Sequence, residues 1–256
     1  MSPELLAGAI GLVVLAAGLL GLALQSVLPD SFTTGGPRDM IGAVAGMLVL
    51  LSALVMGLLI WTAYGVYAGQ NAAVQTLAAK VLQLDLSLAD YGPEALPERD
   101  KLKEIVGKTV DEVWGANQGR AAFAASNFSA ALQNLHNRDT ALAALHPSTD
   151  AQKAALARAD AATQSIAQSR LQMSFALSDP VSYPLIWIVA GWAALIFCGF
   201  GLTSKAHTMS VIMVFVGSLA LATAFYLILD LSNPYEGLFR ASSAPLEQVL
   251  AVLGRE

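Results

Sequence analysis

The chain has 256 residues, of which 55% are hydrophobic and only 13% charged, and its mean hydropathy is +0.58. A water-soluble domain carries about 25% charged residues, so this composition points to lipid. The net charge of −5 argues against a nucleic-acid partner, and a single cysteine, Cys198, excludes an intrachain disulfide and a multi-cysteine zinc site.

Four stretches, 5–28, 40–67, 185–202 and 209–229, are long and apolar enough to cross a hydrocarbon core of ~30 Å, which takes about 20 helical residues. Backbone groups in lipid must bond within their own segment, so all four are expected to be helices. The first has no basic leader before it, only Glu4, and is longer than the apolar part of a signal peptide, so it reads as a span. Its Gly8, Gly11, Gly18 and Gly21 suit close helix packing, or else a plain lipid-facing helix. The linker PDSFTTGGPRD, with Pro29, Gly35, Gly36 and Pro37, is a turn.

The second span carries Gly42-x-x-x-Gly46 and Gly65-x-x-x-Gly69, with Gly57 between them, which reads as one small face for a neighbouring helix. The other side presents Leu48, Leu51, Val55, Leu59, Thr62 and Val66. In a ring of subunits this stripe could line a hydrophobic constriction; on its own it is equally a lipid-facing or core stripe. Trp61, Tyr64 and Tyr67 gather where an interfacial aromatic belt belongs. Beyond them Val74, Leu77, Val81, Leu84 and Leu88 follow in a 3-4-3-4 pattern with no proline before Pro93. This predicts that the second span continues out of the membrane as one long helix.

From 70 to 182 the chain is alanine-rich and reads as helices. Leu102, Ile105, Val106, Val110 and Val113 mark one, and Phe123, Phe128, Leu132 and Leu135 mark a second over 121–145. Ser148, Thr149 and Asp150 are candidate N-caps of a third over 151–177, whose apolar stripe is thin. The third and fourth spans form a hairpin across 203–208. After the fourth, Asp230 stands where the apolar run meets water, Pro234 and Gly237 punctuate a turn, and a short amphipathic helix begins near Ser242, Ser243 and Pro245 with Leu246, Val249, Leu250 and Leu253. Asp230 and Glu236 could cap and shape this turn or pair with Arg240; a calcium site would need about six to eight oxygens, more than the segment supplies.

An even number of spans puts both termini and the 70–182 segment on one side. All of the 14 Lys and Arg residues except Arg38 and Lys205 lie there, which places that side in the cytoplasm. No span has a charge in its interior, against a proton-coupled pump or a voltage sensor but not against a pore. His136, His146 and His207 are not at metal-ligand spacing, Asp85 and Asp90 do not share a helix face, and no nucleophile elbow, phosphate loop or zinc motif occurs. Neither an enzyme nor a cofactor is expected. The expected fold is all-α: four transmembrane helices with a helical soluble domain inserted between the second and third. Its parts are 1–69, 70–182, 183–232 and 233–256, the last being a membrane-proximal turn and amphipathic helix.

The stretches GLLIWTAYGVYAGQNAAVQTL, KVLQLDLSLADYGPEA and LILDLSNPYEGLFRASSAPL resemble the bestrophin-like bacterial membrane family, a family of unknown function distantly related to bestrophin chloride channels. Asn233-Pro234-Tyr235 is similar to the Asn-Pro-Phe after the last bestrophin span. Family members often have aspartate at Ser232 and phenylalanine at Tyr235, and the acidic run that holds calcium in animal bestrophins is missing after Glu236. The resemblance implies a homo-oligomer in the lipid bilayer of the bacterial inner membrane, pentameric in the bestrophin arrangement, passing inorganic anions through a pore lined by the second span. The alternative is a non-conducting membrane scaffold or sensor whose helical soluble domain binds a partner or ligand.

Overall fold

The computed structural model describes residues 3–29, 35–115, 145–177, 182–204 and 207–253. The helix expected over 121–145, with Phe123, Phe128, Leu132, Leu135 and His136, lies outside the described residues, as does the middle of the 203–208 hairpin. Seven α-helices occur among the described residues: α1 Pro3–Val27, α2 Gly36–Tyr91, α3 Leu96–Trp114, α4 Asp150–Ala176, α5 Tyr183–Thr203, α6 Thr208–Leu231 and α7 Ala244–Val252, with a 3-10 turn at Pro93–Ala95. Those described residues contain no strand. Four of the helices, α1, α2, α5 and α6, are long and apolar enough to cross a membrane.

Local chemistry explains the ends. Gly35 at φ +62° and Pro37 open α2, and Gly92 at φ +118°, a conformation that glycine adopts without strain, closes it ahead of Pro93. Between them 56 residues form one helix, as the absence of proline predicts. A reciprocal capping box starts α4: Thr149 Oγ1 accepts from the Gln152 N–H at 3.2 Å while Gln152 Oε1 accepts from the Thr149 N–H at 3.3 Å. Of the three candidate caps, Thr149 is therefore the one used.

The chain divides into two compact units, Met1–Gly65 with Pro180–Ser232, and Val66–Asp179 with Asn233–Glu256. In the first, α1 packs along both α5 and α6. Small residues make this possible. A Cβ on Gly11 would lie 2.8 Å from Ala222 Cβ of α6, and a Cβ on Gly21 would overlap the Cys198 carbonyl oxygen of α5. A Cβ on Gly201 would lie 2.5 Å from the Gly18 oxygen, so here two helix backbones touch. Of the two readings of the α1 glycines, close packing holds for Gly11, Gly18 and Gly21, whereas Gly8 faces open space.

In the second unit the ladder Val74, Leu77, Val81, Leu84 and Leu88 is buried. Against it lie Leu102, Val106 and Val113 of α3, Leu246 and Val249 of α7, and the Ala155, Ala159, Ala162, Ile166 and Met173 stripe of α4. The thin stripe of α4 packs through alanine, which lets its backbone come close. Inside this unit Arg99 donates to both oxygens of Asp85, at 2.8 and 2.9 Å, with the two residues 8% and 3% exposed. Asp90 pairs instead with Arg158 at 3.0 Å on the exposed side. The two aspartates serve different ion pairs, in keeping with their different helix faces.

Candidate functional site: a membrane-proximal clamp and the open face of the second helix

The turn after α6 is built inward from Tyr235. Its ring is 1% exposed and meets Trp114 edge to face, with ring centroids 5.7 Å apart and planes at 74°. The Tyr235 hydroxyl donates to Gln70 Oε1 at 2.9 Å, and Gln70 Nε2 donates to the Met173 carbonyl at 3.1 Å. Gln70 is itself 2% exposed, so both ends of a buried amide are satisfied by α4 and the turn. Trp114 Nε1 donates to the Ala241 carbonyl at 2.7 Å, and the Ser242 N–H donates to Asn71 Oδ1 at 3.1 Å. Helix α4 and the 235–242 turn are thereby bonded to α2 just beyond Gly69, and α3 is joined to that turn through Trp114. Burial pushes the Tyr235 phenol well above its ordinary range, so it stays a neutral donor.

Tyr235→Phe is expected to cost about 1–3 kcal/mol, because it orphans the buried Gln70 oxygen. The sign of its pH dependence follows from the raised pKa. The unfolded tyrosine ionises near pH ~10, whereas the folded one holds its proton, so its contribution is complete below that pH and is lost as pH rises. Thermal unfolding should show a smaller alkaline loss above pH ~10 in Tyr235→Phe than in the parent protein.

The rest of the turn follows. Asn233 accepts from the Glu236 N–H at 3.0 Å, Pro234 is buried, and Gly237 has φ +83°. Arg240 is exposed and forms no ion pair with Glu236 or Asp230 among the described residues. Asp230 is not where the apolar run meets water. It is 1% exposed, because residues 228–232 are buried without a break, and it accepts from the Tyr226 hydroxyl at 3.4 Å.

The membrane part of α2 is different in kind. Only 11% of its most apolar 18-residue window is buried by the chain, against 44% for α1. A Cβ added at Gly42, Gly46, Gly57, Gly65 or Gly69 would meet nothing within 4 Å. Among the described residues no helix packs on these glycines. At roughly 100° per residue they also form two patches rather than one: Gly42, Gly46 and Gly57 cluster together, and Gly65 and Gly69 lie about a third of a turn further round. On the stripe, Leu51 is 40% exposed, Thr62 is exposed and Leu48, Val55 and Val66 are half-buried. Leu59 is only 3% exposed. It shares the side of Ala63, which the chain covers completely, and so has no free surface to offer a pore.

Sequence reasoning missed Gln70, Asn71 and Trp114 in the clamp, and Arg99 as the partner of Asp85. Two adjacent amides directly after an apolar span were the available signal for the first pair. The partners come from residues 14 to 171 positions away, which no local pattern announces.

The model of the Bestrophin-like domain matches residues 10–246. The chain belongs to the bestrophin-like family. No curated protein and no solved structure matches it. The bestrophin-like match takes in most of the first candidate span, all of the other three including the long α2 helix, and the Asn233-Pro234-Tyr235 turn, so the clamp and the open α2 face both belong to the shared domain. Among the described residues no group of three or more His, Cys, Asp or Glu is arranged to hold a metal ion.

Proposed function

We propose that this bestrophin-like protein is an oligomeric ion channel, passing chloride-like anions between copies of α2. The observation that carries the reading is the α2 membrane segment, which is highly apolar yet hardly covered by its own chain. Gly42, Gly46 and Gly57 then form the flank on which a neighbouring copy packs, and Leu48, Leu51, Val55, Thr62 and Val66 face the axis. Leu51 and Val55 form the hydrophobic constriction, a type of gate that closes by losing water. The anion preference rests on the relation to bestrophins. The distribution of Lys and Arg supports an inner-membrane protein with both termini and the second unit in the cytoplasm.

The test is reconstitution. Purified protein in liposomes should run as a ring-shaped oligomer and release chloride, and Leu51→Ala or Val55→Ala should raise the flux by widening the narrowest ring. A monomer that passes no ions overturns the channel and leaves the scaffold.

A further inference from the structure

The loop between Tyr235 and Ala241 is tied at its base and apolar at its tip. The Ala241 N–H donates to the Pro234 carbonyl at 2.6 Å, and both residues are buried. Inside the base, Trp114 donates to the Ala241 carbonyl and meets Tyr235 edge to face. The chain leaves this anchor through Gly237 at φ +83° and carries Leu238, 78% exposed, Phe239, 44% exposed, and the exposed Arg240. Single exposed apolar residues are ordinary. Two in succession on a fixed loop, followed by a cation, are the composition of an interfacial anchor.

The chain itself limits how far this tip can be from lipid. Helix α6 ends at Leu231, and its 24 residues span ~36 Å against a hydrocarbon core of ~30 Å, so its last turn reaches the headgroup layer. Pro234 follows three residues later, within ~10 Å by chain reach. The loop base is thus tethered beside the bilayer surface, where an apolar pair gains by entering the headgroup–acyl boundary and an arginine gains from lipid phosphate.

We propose that Leu238 and Phe239 insert into the surface of the bilayer and that Arg240 binds an anionic phospholipid headgroup, fastening the Tyr235 clamp to the membrane. The occupant is lipid, not a second copy of the chain. This rests on α6 crossing the membrane and does not depend on conduction.

The test uses full-length protein with Cys198→Ala, labelled through Leu238→Cys with an environment-sensitive NBD dye, in phosphatidylcholine–phosphatidylglycerol vesicles containing lipid with a nitroxide high on the acyl chain. A dye at the exposed position Lys103→Cys is the control. Insertion predicts a blue-shifted emission and at least about twofold quenching relative to the control. Quenching should be stronger with phosphatidylglycerol present than without it, and Arg240→Gln should remove that difference. Emission and quenching equal to the control overturn the proposal. A blue shift without quenching also overturns it, since protein rather than lipid would then cover the loop. A phosphatidylglycerol preference that is unchanged in Arg240→Gln overturns the role of Arg240.

Discussion

Arg99→Met is expected to destabilise the protein by about 3–5 kcal/mol, the usual cost of removing one partner from a buried ion pair. The guanidinium satisfies both Asp85 oxygens with two parallel bonds, and neither residue reaches solvent to any extent. Without it, α2 and α3 would enclose a carboxylate with no counter-charge. Against a total stability of ~5–15 kcal/mol, this is a large fraction. The double change Asp85→Leu with Arg99→Met should recover most of the loss, because it removes the stranded charge and fills the site with apolar atoms. Thermal unfolding of the two single variants and the double variant gives the coupling directly. If the single variants unfold at the parent temperature, the pair carries no weight in the fold.

Gly21→Ala and Gly201→Ala are expected to have the second largest effect, lowering stability by about 2–3 kcal/mol or more through overpacking. One methyl group suffices because what it meets is backbone. At Gly201 the new carbon would stand 2.5 Å from the Gly18 oxygen, 2.7 Å from the Leu22 nitrogen and 2.9 Å from the Gly21 carbonyl carbon; at Gly21 it would meet the Cys198 carbonyl. A side chain can rotate aside, but a helix backbone can only move away as a body, so α1 and α5 must separate. The melting temperature should fall by roughly 5–10 °C, with less folded protein recovered from detergent. The same substitution at Gly8, Gly46 or Gly57 meets open space within the chain and should stay within about ±0.5 kcal/mol in the monomer. If copies of α2 pack through Gly46 and Gly57, those changes should instead alter the oligomer seen by size or mass.

The contrast between these glycines shows how far local pattern carries. In sequence, α1 and α2 offer the same spaced small residues on equally apolar helices. Their roles differ because α1 lies between α5 and α6, whereas the glycines of α2 meet no other segment among the described residues. The stripe of α2 shows the same limit. Leu59 has the spacing of Leu51 and Val55, yet the chain covers it almost completely while Leu51 is exposed and Val55 only half-buried. Asp230 is the third case, because a charge at the end of an apolar run looks solvated until burial is known.

Length and periodicity alone determined the all-helical class, the four candidate spans, the unbroken course of α2, its Val74 to Leu88 ladder and the cap signals. These depend on hydrogen bonds and side-chain spacing within a single segment, and the residues that decide them are neighbours in the chain. Only the tertiary structure decided which glycines bring backbones together, which aspartate has a buried partner, and that Gln70, Trp114 and Tyr235 form one clamp. Those outcomes depend on pairings that reach across 165 residues and more. Such a pairing is selected by how whole helices pack, and no segment carries that information by itself.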